Sequence, residues 1–266
     1  MSTIVFVHAH PDDEASQTSG TMARAVAEGH RVVCVYATGG DHGSRPEELH
    51  ADASLADHRR AEAEASARAT GVHRLVWLGF ADSGMTGWDT NTAPDALWMA
   101  DAAAVGHDVA AILDEEDADA VVGYDWHGGY GHPDHIMVHR IARHAVEYAA
   151  RLPRHLEVSL NRDHLRRIMR LALDQGMLPE GQEVWDVDAP ADDGNPIGTP
   201  EAELAWSVDV SAYLGVKRQA LAAHASQTDA AGLLALPAEG FAAMFGRECY
   251  LEAGRAPGMV DGWPFA

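Results

Sequence analysis

The sequence predicts an α/β fold, a Rossmann-like and mostly parallel sheet flanked by helices in a single domain, and three observations carry that expectation. Strand-like runs at 3–7, 31–36, 74–78 and 119–123 alternate with Ala-rich stretches of helical period near 17–28, 54–70, 99–116 and 133–150. Glycine stands just past two of those helices and just before a strand, in Glu28-Gly29-His30 and Thr70-Gly71-Val72, where a left-handed helix C-cap belongs. A chain of 266 residues with 47% apolar side chains also has enough material for one substantial core.

Taken in order, Ile4, Val5, Phe6 and Val7 make the first strand, and the later runs repeat the strand-then-helix unit up to residue 150. From 151 to 203 the pattern loosens. Arg and His are frequent to 170, then Pro, Gly and Asp from 176 to 200, which predicts a helix followed by a long loop. Leu204–Val210 reads as a late strand and Tyr213–Ala223 as a helix, so 204–266 is expected to complete the domain begun by the core of 1–150.

Composition narrows the partners. A formal charge of −22 leaves too few Lys and Arg to replace counterions on a phosphate backbone, and an anionic membrane surface would repel the chain. Cys34 and Cys249 are the only cysteines, which gives no disulfide framework and makes a cytoplasmic location the expectation. No basic, apolar leader opens the sequence and no run of about 18 apolar residues occurs, so neither signal peptide nor membrane span is expected. A homo-oligomer stays open.

Two clusters carry chemistry. The first strand ends in His8-Ala9-His10-Pro11-Asp12-Asp13-Glu14, and the strand near 120 ends in Tyr124-Asp125-Trp126-His127-Gly128-Gly129-Tyr130-Gly131-His132-Pro133-Asp134-His135. Loops at the carboxyl ends of parallel strands converge, so His10, Asp12, Asp13, His132 and His135 can meet around one metal. Two neutral imidazoles and one carboxylate with an open position make a catalytic zinc arrangement, and no cysteine cluster exists for a closed structural one. Five candidates exceed three ligands, and the surplus suits hydrolysis: one carboxylate as base, one histidine to stabilise an oxyanion or protonate a leaving amine. A two-histidine, one-carboxylate triad of a non-haem iron oxygenase is the rival, with Fe2+ in place of Zn2+. That triad commonly sits in an antiparallel barrel and leaves Asp13 and His132 without a task. A third class, a metal- or sugar-binding module without turnover, would need neither base nor acid.

The two motifs together resemble the PIG-L/LmbE-like N-deacetylase family, whose signatures are Ala-His-Pro-Asp-Asp-Glu near the N-terminus and a later His-Pro-Asp-His; here they are Ala9–Glu14 and His132–His135. Its mycothiol-pathway deacetylase and mycothiol S-conjugate amidase branch is the nearer likeness, through Gly128–His135, Asp82-Ser83-Gly84-Met85 and Ala223-His224-Ala225-Ser226-Gln227. The resemblance implies zinc-dependent hydrolysis of the N-acyl group, N-acetyl foremost, of a small-molecule amino sugar or glycoconjugate, with an S-conjugate or natural-product amidase as the alternative. It makes His10, Asp13 and His135 the metal ligands, Asp12 the general base and His132 the group for charge stabilisation and proton delivery. Tyr130 would reach the tetrahedral intermediate, and Asp134 would orient a neighbouring histidine. Arg59 and Asp82 match sugar-hydroxyl contacts. Read from the residues alone, Arg59 is a solvated helix charge paired to Glu62 or Glu64, and Asp82 caps a turn.

The branch carries Asn where this chain has His127, read here as a surface-loop histidine, and 151–200 shows little likeness to the mycothiol enzymes. His8 is expected to be buried behind the site. Histidines 58, 73, 107, 139, 144, 155 and 164 are expected to be solvated, and core packing is the expectation for Trp77, Trp88, Trp98 and Trp126, although the last three fall near the site edge.

Overall fold

Nearly every backbone polar group of β1 (Thr3–His8) and β2 (Arg31–Thr38) is satisfied by a neighbouring strand, because both lie inside one eight-stranded sheet and are buried on both faces. Ile4 to Val7 and Val32 to Val35 are completely buried, the continuous apolar runs typical of a parallel sheet under helices. The computed structural model describes residues 1–47, 49–50, 52–174 and 186–265.

Between β1 and β2 the predicted helix is two: α1 (Asp13–Gln17) and α2 (Ser19–Ala27), broken at Thr18. The first begins inside the motif rather than after it. α3 (Leu55–Thr70) starts on Ser54, whose side chain accepts the Asp57 N–H, and stops at Gly71 with φ 80°. Gly29, at φ 85°, ends α2 in the same way. Then follow β3 (Arg74–Phe80), α4 (Ala102–Glu115) on an Asp101 cap, β4 (Ala120–Tyr124) and α5 (Pro133–Tyr148).

Residues 151–203 depart from the helix and loop expected of them. β5 (Arg154–Ser159) comes first and pairs in parallel with β4, and α6 (Arg162–Asp174) follows. The predicted loop at 176–185 lies outside the described residues. After β6 (Trp206–Asp209) and α7 (Leu214–Ala223) the chain adds α8 (Thr228–Leu234), α9 (Ala238–Phe245), β7 (Arg247–Glu252) and β8 (Val260–Asp261).

The strand order is β3-β2-β1-β4-β5-β7-β6-β8. β3 through β5 are parallel; β7 enters antiparallel to both β5 and β6. Leu221, Ala230, Phe241 and Phe245 of α7 to α9 form a separate apolar cluster that includes Ala15 of α1. The late helices thereby fix the short helix that carries the first motif. Among the described residues, no helix is long and apolar enough to cross a membrane.

Candidate active site

The chain runs outward from β1 to β2 and β3, then returns to place β4 on the other side of β1. That reversal opens a crevice at the carboxyl ends of β1 and β4, the place where open α/β sheets bind ligands. Both motifs leave the sheet there. Asp12 turns the chain from β1 into α1 at φ 110°, a left-handed conformation that costs a non-glycine residue energy and is held only where the surroundings enforce it. On the other side His132 caps α5, its Nδ1 accepting the Asp134 N–H at 3.1 Å, with Pro133 opening the helix. Asp134 and His135 therefore stand in the first turn.

Hydrogen-bond partners fix which nitrogens are free. His135 Nδ1 faces the Gly128 carbonyl at 3.0 Å and must donate, so Nε2 keeps its lone pair. His10 Nε2 faces carboxylates, Asp134 at 3.1 Å and Asp82 at 3.6 Å, which makes Nδ1 its bare nitrogen. These two atoms lie 3.3 Å apart, and Asp13 reaches them with Oδ1 3.3 Å from His135 Nε2 and Oδ2 3.4 Å from His10 Nδ1. Donors sharing a tetrahedral ion with bonds of about 2.0–2.1 Å sit about 3.3–3.4 Å apart. Two lone pairs facing each other at this distance repel unless positive charge lies between them. Burial opposes a cation at His10, yet Asp82, Asp13 and Asp134 outweigh it and raise the His10 pKa well above the imidazole range. The place calls for a proton or a metal ion, and the residues present could hold the latter.

His132 also lies within reach of His10 and His135 as a potential donor. Its Nδ1 is spent on the Asp134 N–H, however, so the neutral ring carries its proton on Nε2. Burial, reinforced by His10 and His135, lowers its pKa to about 2 and keeps it neutral. It is a hydrogen-bond donor facing the cavity, unlike His10 and His135.

Asp12 lines that cavity with 27% of its side chain exposed. Burial raises its pKa to about 6 against the pull of Arg59. Asp13 is held from several sides: the His10 N–H and the Tyr124 hydroxyl each donate to Oδ2 at 2.8 Å. Asp134 accepts from Ser83 N–H at 2.9 Å and from the Ser83 hydroxyl while it binds His10, the carboxylate-to-imidazole contact that orients a ligand ring.

The cavity, about 390 Å³, is also lined by Asp82, Tyr130, Trp88, His42, Ser44 and Gln227. Tyr130 packs edge-on to His135, with ring centroids 4.9 Å apart. Asp82 both caps a turn, accepting the Gly84 N–H at 2.8 Å, and belongs to the carboxylate group around His10.

Several expectations are overturned by burial. Arg59 is no solvated charge beside Glu62 or Glu64. It is 3% exposed, and its guanidinium donates to the Gly40 and Pro11 carbonyls and lies 3.0 Å from Asp12 Oδ2. His127 is buried rather than on the surface, its Nε2 against the Gly198 carbonyl at 3.3 Å, and it stands outside the metal-holding groups found among the described residues. His139 of α5 and His155 of β5 are buried too. Trp88 and Trp126 are exposed instead of packed, and Trp88 lines the cavity. Trp77 stacks on Tyr36, Trp98 leans on the core, and His8 is buried between Tyr124 and Thr18 as expected.

The profile of the PIG-L family, described as GlcNAc-PI de-N-acetylase, matches residues 5–146. A 1D-myo-inositol 2-acetamido-2-deoxy-alpha-D-glucopyranoside deacetylase of Thermobifida fusca (strain YX) is 38% identical, covering 86% of this chain and 84% of its own. The chain belongs to the PIG-L family. An enzyme of the same description from Geodermatophilus obscurus is 36% identical to this PIG-L chain over 98% of its length and 95% of the relative's. Among solved structures, the N,N'-diacetylchitobiose deacetylase from Pyrococcus horikoshii superposes with a TM-score of 0.59 at 22% identity, covering 94% of this chain and 83% of that one, a likeness of fold. Family membership, with a mostly parallel sheet, removes the oxygenase reading.

Some residues that build the site in this PIG-L chain had no role in the sequence reading. Tyr124 clamps Asp13, and Gly128 sets the His135 tautomer. Glu14 accepts the Asp12 N–H at 3.0 Å while His224 Nε2 lies 2.7 Å from its other oxygen. Both Glu14 and His224 stand inside stretches that resembled the family, which was the available signal.

Proposed function

We propose that this PIG-L chain hydrolyses the N-acyl group of an amino sugar or glycoconjugate with a divalent ion, zinc, held by His10 Nδ1, Asp13 and His135 Nε2. The observation that carries the reading is the convergence of two bare imidazole nitrogens and one carboxylate at 3.3–3.4 Å, beside a second carboxylate facing the cavity. Bound there, such an ion supplies Lewis-acid polarisation and makes water more acidic.

The chain's own groups do the rest. Asp12, as carboxylate, takes the proton of the attacking water, its basicity raised by burial. The water oxygen bonds to the acyl carbon, and the His132 Nε2–H donates to the oxygen that gains charge. Tyr130, beside His132 and His135, is placed to donate to the same oxygen, since burial keeps its hydroxyl protonated. The carbon–nitrogen bond then breaks, and the proton held by Asp12 passes to the departing nitrogen, leaving an amine and a carboxylate. Asp82 and the exposed Trp88 offer a carboxylate and an aromatic face to a sugar ring. Relatives whose descriptions name an inositol-linked acetamido-glucopyranoside support the amino sugar.

The test is release of primary amine from a panel of N-acetylglucosamine glycosides by metal-replete enzyme, with Asp12→Asn as control and metal content measured on both. Amine from wild type and none from a metal-bound Asp12→Asn protein is expected. Metal loss in that variant would overturn the ligand set. Zinc and ferrous iron suit the same donors, so reconstitution with each decides the metal.

A further inference from the structure

A second cavity of about 560 Å³ adjoins the first and is larger than it. The two share Ser16, Gln17, Tyr130 and Leu233 in their walls. That boundary lies at the reacting centre: Gln17 Nε2 is 3.5 Å from Asp13 Oδ1, and Tyr130 packs on the ring of His135. The cavity is therefore reached from the point where the acyl carbon must sit.

Its walls differ in kind from those of the first chamber. Val158, Leu160, Leu165, Met244, Phe245 and Met259 supply an apolar surface between β5, α6 and α9. Among the described residues, the charged groups in the wall are already engaged. Lys217 Nζ is 2.5 Å from Glu248 Oε1, Arg167 is 2.5 Å from Glu201, and Arg247 is bound to Asp261 at 2.6 Å and to Ser207 at 3.0 Å. Ser159, Asn161, His164 and Ser207 also line it, bound to Asp125, Glu201, the Ala243 carbonyl and Arg247, so a sugar or other polyhydroxy group placed there would have few partners to gain, whereas an alkyl or aryl group needs none.

An amide has two ends, and the two chambers suit one each. The amine end carries the sugar, whose hydroxyls match the polar first chamber with its Asp82, Ser44 and Gln227. The acyl end is left to exit past Tyr130 and Gln17. A methyl group would occupy a small corner of a space that is the size of a drug-like ligand site.

We propose that the second cavity is an acyl subsite and that the preferred substrate is an amino sugar whose N-acyl group is an apolar chain well beyond acetyl. This rests on the hydrolase reading above. The reaction stays balanced as before: water adds to the acyl carbon, the carbon–nitrogen bond breaks, and a fatty carboxylate leaves with the free amine.

The experiment compares N-acetyl-, N-butanoyl- and N-octanoylglucosamine as substrates of the zinc-loaded enzyme, and titrates the first and last into the Asp12→Asn protein by calorimetry. Each methylene buried is worth about fourfold in affinity, so even partial filling predicts a KM for the octanoyl substrate at least about tenfold below that for acetyl. Leu160→Trp and Met244→Trp, which fill the cavity, should each cut the octanoyl-to-acetyl ratio of kcat/KM by about tenfold. Acetyl hydrolysis with no octanoyl advantage overturns the subsite and leaves the hydrolase standing. No amine from any substrate, with N-octanoylglucosamine still binding the tighter, overturns hydrolysis and keeps the apolar site. No amine and no difference in binding overturns both.

Discussion

Arg59 Nη2 lies 3.0 Å from Asp12 Oδ2 and donates to the Pro11 carbonyl, so one guanidinium holds both the side chain of the proposed base and the backbone that leads into it. Asp12 is one of only two non-glycine residues with positive φ among the described residues, and such a conformation persists when the surroundings over-determine it. Lysine, a single point charge, cannot make both contacts. Arg59→Lys should therefore lower kcat about 10- to 100-fold through misplacement of Asp12, with KM little changed. A sugar-binding role predicts the reverse split, a raised KM at constant kcat, and steady-state kinetics on the preferred substrate separates the two.

Glu14 holds Asp12 by its backbone N–H. It is 2% exposed and accepts from the Asp12 N–H, from Ser66 Oγ at 2.6 Å and from His224 at 2.7 Å. Burial would raise its carboxyl, but His224 draws the pKa down to about 2, and Glu14 raises that of His224 in return. Removing His224 leaves the Glu14 carboxylate buried without its cation, and removing Glu14 takes away the group that holds the proton on the buried His224. Glu14→Ala and His224→Ala should each cost about 3–5 kcal/mol, and the double variant clearly less than their sum. Urea unfolding at neutral pH gives all three values, and strict additivity would show that the pair is not coupled.

The residues legible in the sequence are those whose partners are local. Strands β1, β2 and β4 were visible as apolar runs because they are buried on both faces, β3 kept such a run at the half-buried sheet edge, and the glycines after α2 and α3 marked real left-handed caps. His10, Asp13, His132 and His135 could be grouped because each follows the end of a strand closely. β5 was lost because only Leu156 and Val158 of Arg154-His155-Leu156-Glu157-Val158-Ser159 are apolar, while His155 and Ser159 are covered rather than solvated. β7 gave no local signal, since its register is set by β5 and β6. The grip of Arg59 on Pro11 and of His224 on Glu14 spans 48 and 210 residues of chain, and only the folded sheet brings those partners together.

His155 shows what covering such a side chain costs. It is 6% exposed, its Nε2 has no partner among the described residues, and burial lowers its pKa from 6.5. Glu157 on its own strand pulls the other way, while His139 and Arg143 on α5 add to the lowering. The unfolded chain therefore takes up a proton near pH 6.5 that the folded chain refuses. Stability from this site is complete above that pH and is lost as the pH falls through it, with a slope of up to about 1.4 kcal/mol per unit. His155→Leu should remove that slope, so the variant gains on the wild type between pH 7.5 and 5.5 in chemical unfolding. Two curves that stay parallel across the range would contradict the assignment.

Gly128 and Gly129 are adjacent left-handed glycines, at φ 68° and 78°, yet they should respond differently to alanine. A Cβ on Gly128 would collide with the Cβ of His135 and come within 3.0 Å of the start of α5; on Gly129 it would meet nothing within 4 Å among the described residues. Both substitutions carry the backbone strain of a left-handed alanine, about 1–2 kcal/mol. Only the first also displaces the ring whose Nδ1–H is held by the Gly128 carbonyl. Gly128→Ala should weaken metal binding about 10- to 100-fold, the usual penalty for losing the group that orients a ligand, while Gly129→Ala keeps near wild-type affinity. Zinc titration against a competing chelator reads the difference directly. Equal loss in both variants would mean that loop strain, and not the placement of His135, controls the metal.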